Sequence, residues 1–140
     1  MKPLTHPIVM TDFDWRRLRA LLQILRKRSS VDATNLNALE IELERAQVVP
    51  ADRVPSNVVT MNSRVVLVDA DGDHRTSVAL VFPNAPASEE PGVPVLSPLG
   101  LALLGCREGD EMTWPTRNGV RRIRLERVIY QPEAVGHYLV

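Results

Sequence analysis

Apolar residues fall at helical spacing over the first third of the chain and at strand spacing over most of the rest. Trp15, Leu18, Leu22 and Leu25 recur three, four and three positions apart, the seam of a helix that seals against a partner. The pattern predicts a helix from Thr11 to Arg28. Thr11, three residues before Asp14, suits an N-cap; Asp12 and Asp14 suit the positive end of the helix dipole, and Arg26, Lys27 and Arg28 the negative end. After a break at Ser29-Ser30-Val31, Asp32 can cap a second helix running to about Gln47, where Leu36, Leu39, Leu43 and Ala46 repeat the seam. Residues 12 to 28 hold six basic and two acidic side chains, and residues 32 to 46 hold four acidic and one basic. Matching seams, opposite charge and a short connector predict an antiparallel coiled-coil hairpin, only about 25 Å long at 1.5 Å per residue.

Pro50 to Pro55 reads as a linker, which divides the chain into a helical hairpin at 1–49 and a sheet domain at 50–140. Beyond it, Val58-Val59-Thr60 starts a strand and Arg64 to Asp69 is a β-branched run. Asp71-Gly72 then gives a hairpin turn and Arg75 to Phe82 the return strand. Asn84 to Gly92 is a surface loop. A short strand near Val93 leads into a fully punctuated short helix. Ser97 is its N-cap, Pro98 falls at the first helical position, and Gly105 stands where a left-handed residue ends it. Leu99, Ala102 and Leu103 make the stripe that such a helix lays on a sheet. Glu111 to Trp114, the Asn118-Gly119 turn and a long strand from Val120 to Tyr130 complete an antiparallel sheet, with Gln131 to Val140 as a tail. The expected class is α+β: a short hairpin followed by an antiparallel sheet crossed by one short helix.

Composition narrows the chemistry. The chain has 140 residues, 44% of them apolar, so a real core is within reach, but only 4% aromatic, so aromatic-lined pockets are scarce. Its 17 basic and 17 acidic residues cancel, which removes the global electrostatic signal of a nucleic-acid binder. A single cysteine, Cys106, fits a reducing compartment, and no apolar run approaches a membrane span or a signal-peptide core, so a soluble cytoplasmic protein is expected. Asp69-Ala70-Asp71-Gly72-Asp73 resembles the start of a calcium loop, but His74 and Leu80 stand where that loop needs Gly and Glu. His6, His74 and His137 lack metal-ligand spacing, and no catalytic triad, acid pair or phosphate loop assembles, so no cofactor is expected. Arg121, Arg122, Arg124 and Arg127 make the last strand basic. They are either a solvated face or a weak contact with nucleic acid or an acidic protein surface.

The stretch from Val93 through Ser97-Pro98, Leu103-Leu104 and Gly105 to Gly109-Asp110 resembles the C-terminal domain of the bacterial transcription elongation factors GreA and GreB. The order of hairpin, linker and sheet with one short helix is also the order in that family. Leu39 to Gln47, Val58-Val59-Thr60-Met61-Asn62-Ser63-Arg64-Val65 and Tyr130-Gln131-Pro132-Glu133-Ala134 sharpen the likeness to a short-hairpin branch described as regulators of nucleoside diphosphate kinase. The resemblance implies an FKBP-like fold for the C-terminal domain. It also implies RNA polymerase as the partner, bound at the rim of the secondary channel, with Leu96, Ser97, Pro98 and Leu99 in the docking patch.

In the Gre factors a long coiled coil reaches inward and brings two acidic tip residues to the catalytic magnesium. Here the hairpin is short, and its tip carries Lys27, Arg28 and, as the one carboxylate, Asp32. Magnesium takes oxygen ligands, commonly one or two carboxylates plus waters, and an Asp that also caps a helix makes a poor set. Transcript cleavage is therefore not expected, nor any metal. The FKBP-like fold does not by itself carry prolyl isomerisation either, because after residue 50 the chain offers only Phe82, Trp114, Tyr130 and Tyr138 to line such a pocket. The expected function is a non-enzymatic regulator that competes with Gre-type factors. A transcript cleavage factor, or a regulator of nucleoside diphosphate kinase acting through another protein, are the alternatives.

Overall fold

A computed structural model describes residues 8–28, 33–69 and 74–138, with only the backbone described at 114–116. Helix α1 spans Asp12–Arg26, and its start is fixed as the sequence predicts, by Thr11 Oγ1 accepting the Asp14 N–H at 3.1 Å. Helix α2 spans Ala33–Arg45. Near the end of α1, Arg26 donates to Asn37 and Glu40 early in α2. Near its start, Trp15 Nε1 donates to the Leu43 carbonyl at the end of α2, so the helices run in opposite directions. Leu18, Leu22, Leu36, Leu39 and Leu43 are buried between them, with Trp15, Leu25 and Ala46 packed alongside. The seam is thus the one set by the spacing.

The residues flanking the helix pair differ from expectation. Ile8, Val9 and Met10, which lie in a stretch that reads as polar and Pro-broken, are buried. Val9–Thr11 forms strand β1, paired in parallel with β2 at Gln47–Val49, so both ends of the helix pair are held together at its base. Ile8 also meets Gly105. A Cβ there would stand 2.4 Å from that of Ile8, and the backbone has φ +78°, so the glycine satisfies a close approach as well as ending a helix.

The main sheet has β3 at Arg64–Asp69, β4 at Arg75–Val81, β5 at Gly92–Pro94, β6 at Glu111–Thr116 and β7 at Gly119–Tyr130, in the order β5-β4-β3-β7-β6. All neighbours are antiparallel except β4 and β5, which pair in parallel. The expected antiparallel sheet is therefore mixed: the 83–91 loop carries the chain back before β5 begins, so β5 runs in the direction of β4. The predicted Asp71-Gly72 turn lies outside the described residues, although β3 and β4 pair on either side of it. Val58-Val59-Thr60 is not a strand either. Val58 makes a single bridge to Arg107, and the segment turns at Asn62 with φ +67°.

Helix α3, Pro98–Leu103, lies across the sheet on the side of the core. Ser97 caps it from both directions, accepting the Gly100 N–H at 3.0 Å and donating to the Pro94 carbonyl at 2.7 Å. One continuous core runs from Leu18, Leu22 and Leu39 of the helix pair through Val59 and Met61 to Leu80, Leu103 and Leu125 of the sheet and α3.

Candidate functional site

Each residue of the predicted docking patch sits at the start of α3. Pro98 is exposed, while Leu96, Ser97 and Leu99 are half-buried, with Leu96 and Leu99 packed on the core. Leu99 borders a small cleft of about 110 Å³ with Leu67, Val78 and Ile123 and with the polar Asp69, Thr76 and Arg121. The patch is stiff for local reasons: its first turn is capped by Ser97, Pro98 has a fixed φ, and Gly100 lies against the Pro94 carbonyl. Of the tip residues, Lys27 and Arg28 are exposed at the end of α1, and Asp32 lies outside the described residues. Among the described residues no group of three or more His, Cys, Asp or Glu is arranged to hold a metal. Cys106 is buried, its thiol donating a hydrogen bond to the Ala102 carbonyl at 2.8 Å.

A second polar centre went unread in the sequence. Asp14, expected only to complement a dipole, is 2% exposed. One carboxylate oxygen accepts from Arg17 at 2.6 Å and the other from the Met61 N–H at 3.0 Å. Arg17 in turn lies over the rings of Phe13 and Phe82, 4.0 and 4.6 Å from their centroids. Burial pushes the Asp14 carboxyl above the ordinary carboxylate range, and the Arg17 and Met61 hydrogen bonds offset only part of that. Glu133 is pushed upward for the same reason, against the hydrogen bond it accepts from Thr60 Oγ1 at 2.7 Å.

These contacts explain two of the oddly composed sequence blocks. Ser63 Oγ accepts the Thr60 N–H at 2.9 Å, and Gln131 Nε2 donates to the carbonyls of Pro55 and Val58 at 2.7 and 2.8 Å. The Val58–Ser63 block and the Gln131–Glu133 block are thus two halves of one joint, and Asp14 ties α1 to it. The stretch expected to be a tail is anchored there, with Gln131 and Pro132 buried. A polar residue in a helical stripe looks solvated unless its distant partner is known, which is why spacing alone does not reveal this centre.

Comparison with known proteins agrees with this architecture. Residues 54–130 match the model of the transcription elongation factor GreA/GreB C-terminal family, and residues 6–49 match the Rnk N-terminus. The chain belongs to the GreA/GreB family. Within it, the chain is similar to the regulator of nucleoside diphosphate kinase of Escherichia coli strain K12, at 36% identity over 95% of this chain and 96% of that protein. It is also similar to transcription elongation factor GreA of Helicobacter hepaticus, at 26% identity over 94% of this chain and 84% of that one. A solved structure, the prokaryotic transcription elongation factor GreA/GreB from Nitrosomonas europaea, matches at 35% identity and TM-score 0.75, covering 88% of this chain and 99% of that one.

Proposed function

We propose that this chain is a non-enzymatic, cytoplasmic transcription regulator that binds RNA polymerase at the rim of the secondary channel and competes there with Gre-type factors. The observation that carries the reading is the capped, proline-headed start of α3 with Pro98 exposed, combined with a short arm. In this reading residues 50–140 form an FKBP-like docking domain, with Leu96, Ser97, Pro98 and Leu99 at the contact, and residues 1–49 form a coiled-coil stub. At 15 residues α1 is about 22 Å long, using 1.5 Å per residue. Its outer end carries Arg26, Lys27 and Arg28, cations that repel magnesium instead of binding it. Such a protein acts by occupancy and leaves backtracked transcripts uncleaved.

Two measurements test this. Purified chain added to polymerase core should displace a Gre factor, and Pro98→Asp should weaken that competition by at least about tenfold, or roughly 1.4 kcal/mol. Asp is well tolerated in the first turn of a helix, so the variant should remain folded. Unchanged competition by folded Pro98→Asp would move the contact elsewhere, and dose-dependent cleavage of backtracked transcripts would make the protein a cleavage factor. The name of the Escherichia coli relative favours a second reading, regulation of nucleoside diphosphate kinase through another protein. Failure to bind polymerase core at all would favour that one.

A further inference from the structure

The sheet has two faces, and only one is covered by the core. Val65, Leu67, Val78, Leu80, Ile123 and Leu125 point into the core, so alternate residues point the other way. Across that outer face the register aligns Arg75, Val68, Arg124 and Glu111 in one row and Ser77, Val66 and Arg127 in the next. Arg122, facing Thr113, extends the face toward the β6 edge, and Arg64, between Ala79 and Tyr130, closes the other end. Val68 and Ala79 are buried there although they lie outside the main core. Five arginines thus share one sheet face, on the side away from α3.

The face already seats carboxylates. Arg75 Nε holds both oxygens of Glu126 at 3.0 and 2.9 Å, Arg122 holds Glu111 at 3.2 Å, and Arg64 reaches Glu90 at 3.4 Å. Glu126 is held below the usual carboxylate range first by its Arg75 hydrogen bond and further by the charges of Arg124 and Arg127. One carboxylate therefore serves three guanidinium groups. Arg124 and Arg127 are exposed and make no ion pair of their own among the described residues.

We propose that this outer face, centred on Arg124 and Arg127, binds an acidic, extended segment of a partner protein. An extended chain repeats its side chains every two residues, about 6.6–6.8 Å apart, which is also the spacing of Arg122 and Arg124 along β7. Guanidinium groups pair with carboxylates through two nitrogens at once, as Arg75 does with Glu126, Nε reaching Oε1 at 3.0 Å and Nη2 reaching Oε2 at 2.9 Å. A nucleic acid fits less well. The chain has no net charge, Glu111 and Glu126 interrupt the positive field, and the Tyr130 ring at the end of the face lies under Arg64 at 5.0 Å instead of open for base stacking.

The test uses the intact chain and a fluorescently labelled peptide of alternating Glu and Thr, followed by anisotropy at low and raised salt. The wild type should bind with an affinity that falls as salt rises, and R124E/R127E should bind at least about tenfold more weakly. Both positions are exposed, and an unchanged thermal melt would show that the variant is folded. Amide chemical-shift changes in the wild type should localise to β3, β4 and β7, a readout that holds even if the variant proves unstable. Absence of salt-sensitive binding, undiminished binding to folded R124E/R127E, or shifts confined to other elements would each overturn the proposal. Tighter binding of a single-stranded oligonucleotide of equal charge would also overturn it, in favour of a nucleic-acid surface.

Discussion

Gly100→Ala sets two physical effects of opposite sign against each other at the start of α3. Helix propensity alone favours alanine by up to about 1 kcal/mol, because glycine loses more backbone freedom on folding. Packing opposes it. An added Cβ would stand 2.0 Å from the Pro94 carbonyl oxygen, 2.8 Å from its carbon and 2.9 Å from Val95 Cα. Ordinary contact begins at 3.4 Å, so α3 and the end of β5 would have to separate by about 1.4 Å. All three obstacles are backbone atoms, which cannot swing aside as a side chain does. Moving α3 would also loosen Ala102, Leu103 and Leu104 from the core. Overpacking typically costs about 1–3 kcal/mol and more where nothing yields, so the net expectation is a loss of about 2 kcal/mol or greater. In urea, with a slope of about 1–3 kcal/mol per molar, that lowers the midpoint by roughly 1 M. Gly92→Ala is the control: its Cβ would meet a Val81 methyl at 3.1 Å, and a side chain can shift. A Gly100→Ala variant as stable as wild type would refute the claim that α3 is positioned by this contact.

Asp14→Asn probes the buried joint through pH. Because the folded-state pKa of Asp14 is raised, the folded chain holds that proton more tightly than the unfolded chain. Its stabilising contribution is complete below about pH 4 and is lost as pH rises through the raised value, and Glu133 acts in the same direction. The variant should therefore show a shallower decline in stability from about pH 4 upward, and parallel denaturation series for variant and wild type would reject the assignment. Leu22→Ala, which empties a buried position between α1 and α2, should cost about 2–5 kcal/mol in chemical denaturation, and an unchanged midpoint would mean that the seam is misassigned.

Where a residue's role depends on near neighbours, the sequence was enough to see it. The Thr11 cap, the leucine seam, and the Ser97-Pro98 start of α3 with its closing glycine are all written within a few positions, and the structure has them in place. The misreadings share one cause, dependence on distant partners. Ile8 to Met10 looked like part of a polar, proline-broken stretch because the glycine that admits Ile8 is Gly105, far along the chain. Val58 to Thr60 has the β-branched composition of a strand, yet its polar groups are taken by Cys106, Ser63 and Glu133 and not by a neighbouring strand. Asp14 looked like an ordinary first-turn acid until Met61 came within 3.0 Å. The direction of β5 was hidden for the same reason, since a proline-containing loop does not announce which way the chain leaves it.

The parallel pairing of β1 with β2 has a consequence for how this architecture can change. It brings the entry and exit of the helical excursion side by side, Val9 opposite Gln47 and Thr11 opposite Val49. The arm is clamped at its root, so its length is decoupled from its mounting. Seven residues added to each helix, in register, would lengthen the arm by about 10.5 Å while leaving the clamp and the Asp14 anchor untouched. Arms of different reach could thus be carried on the same base by insertions that never disturb the sheet.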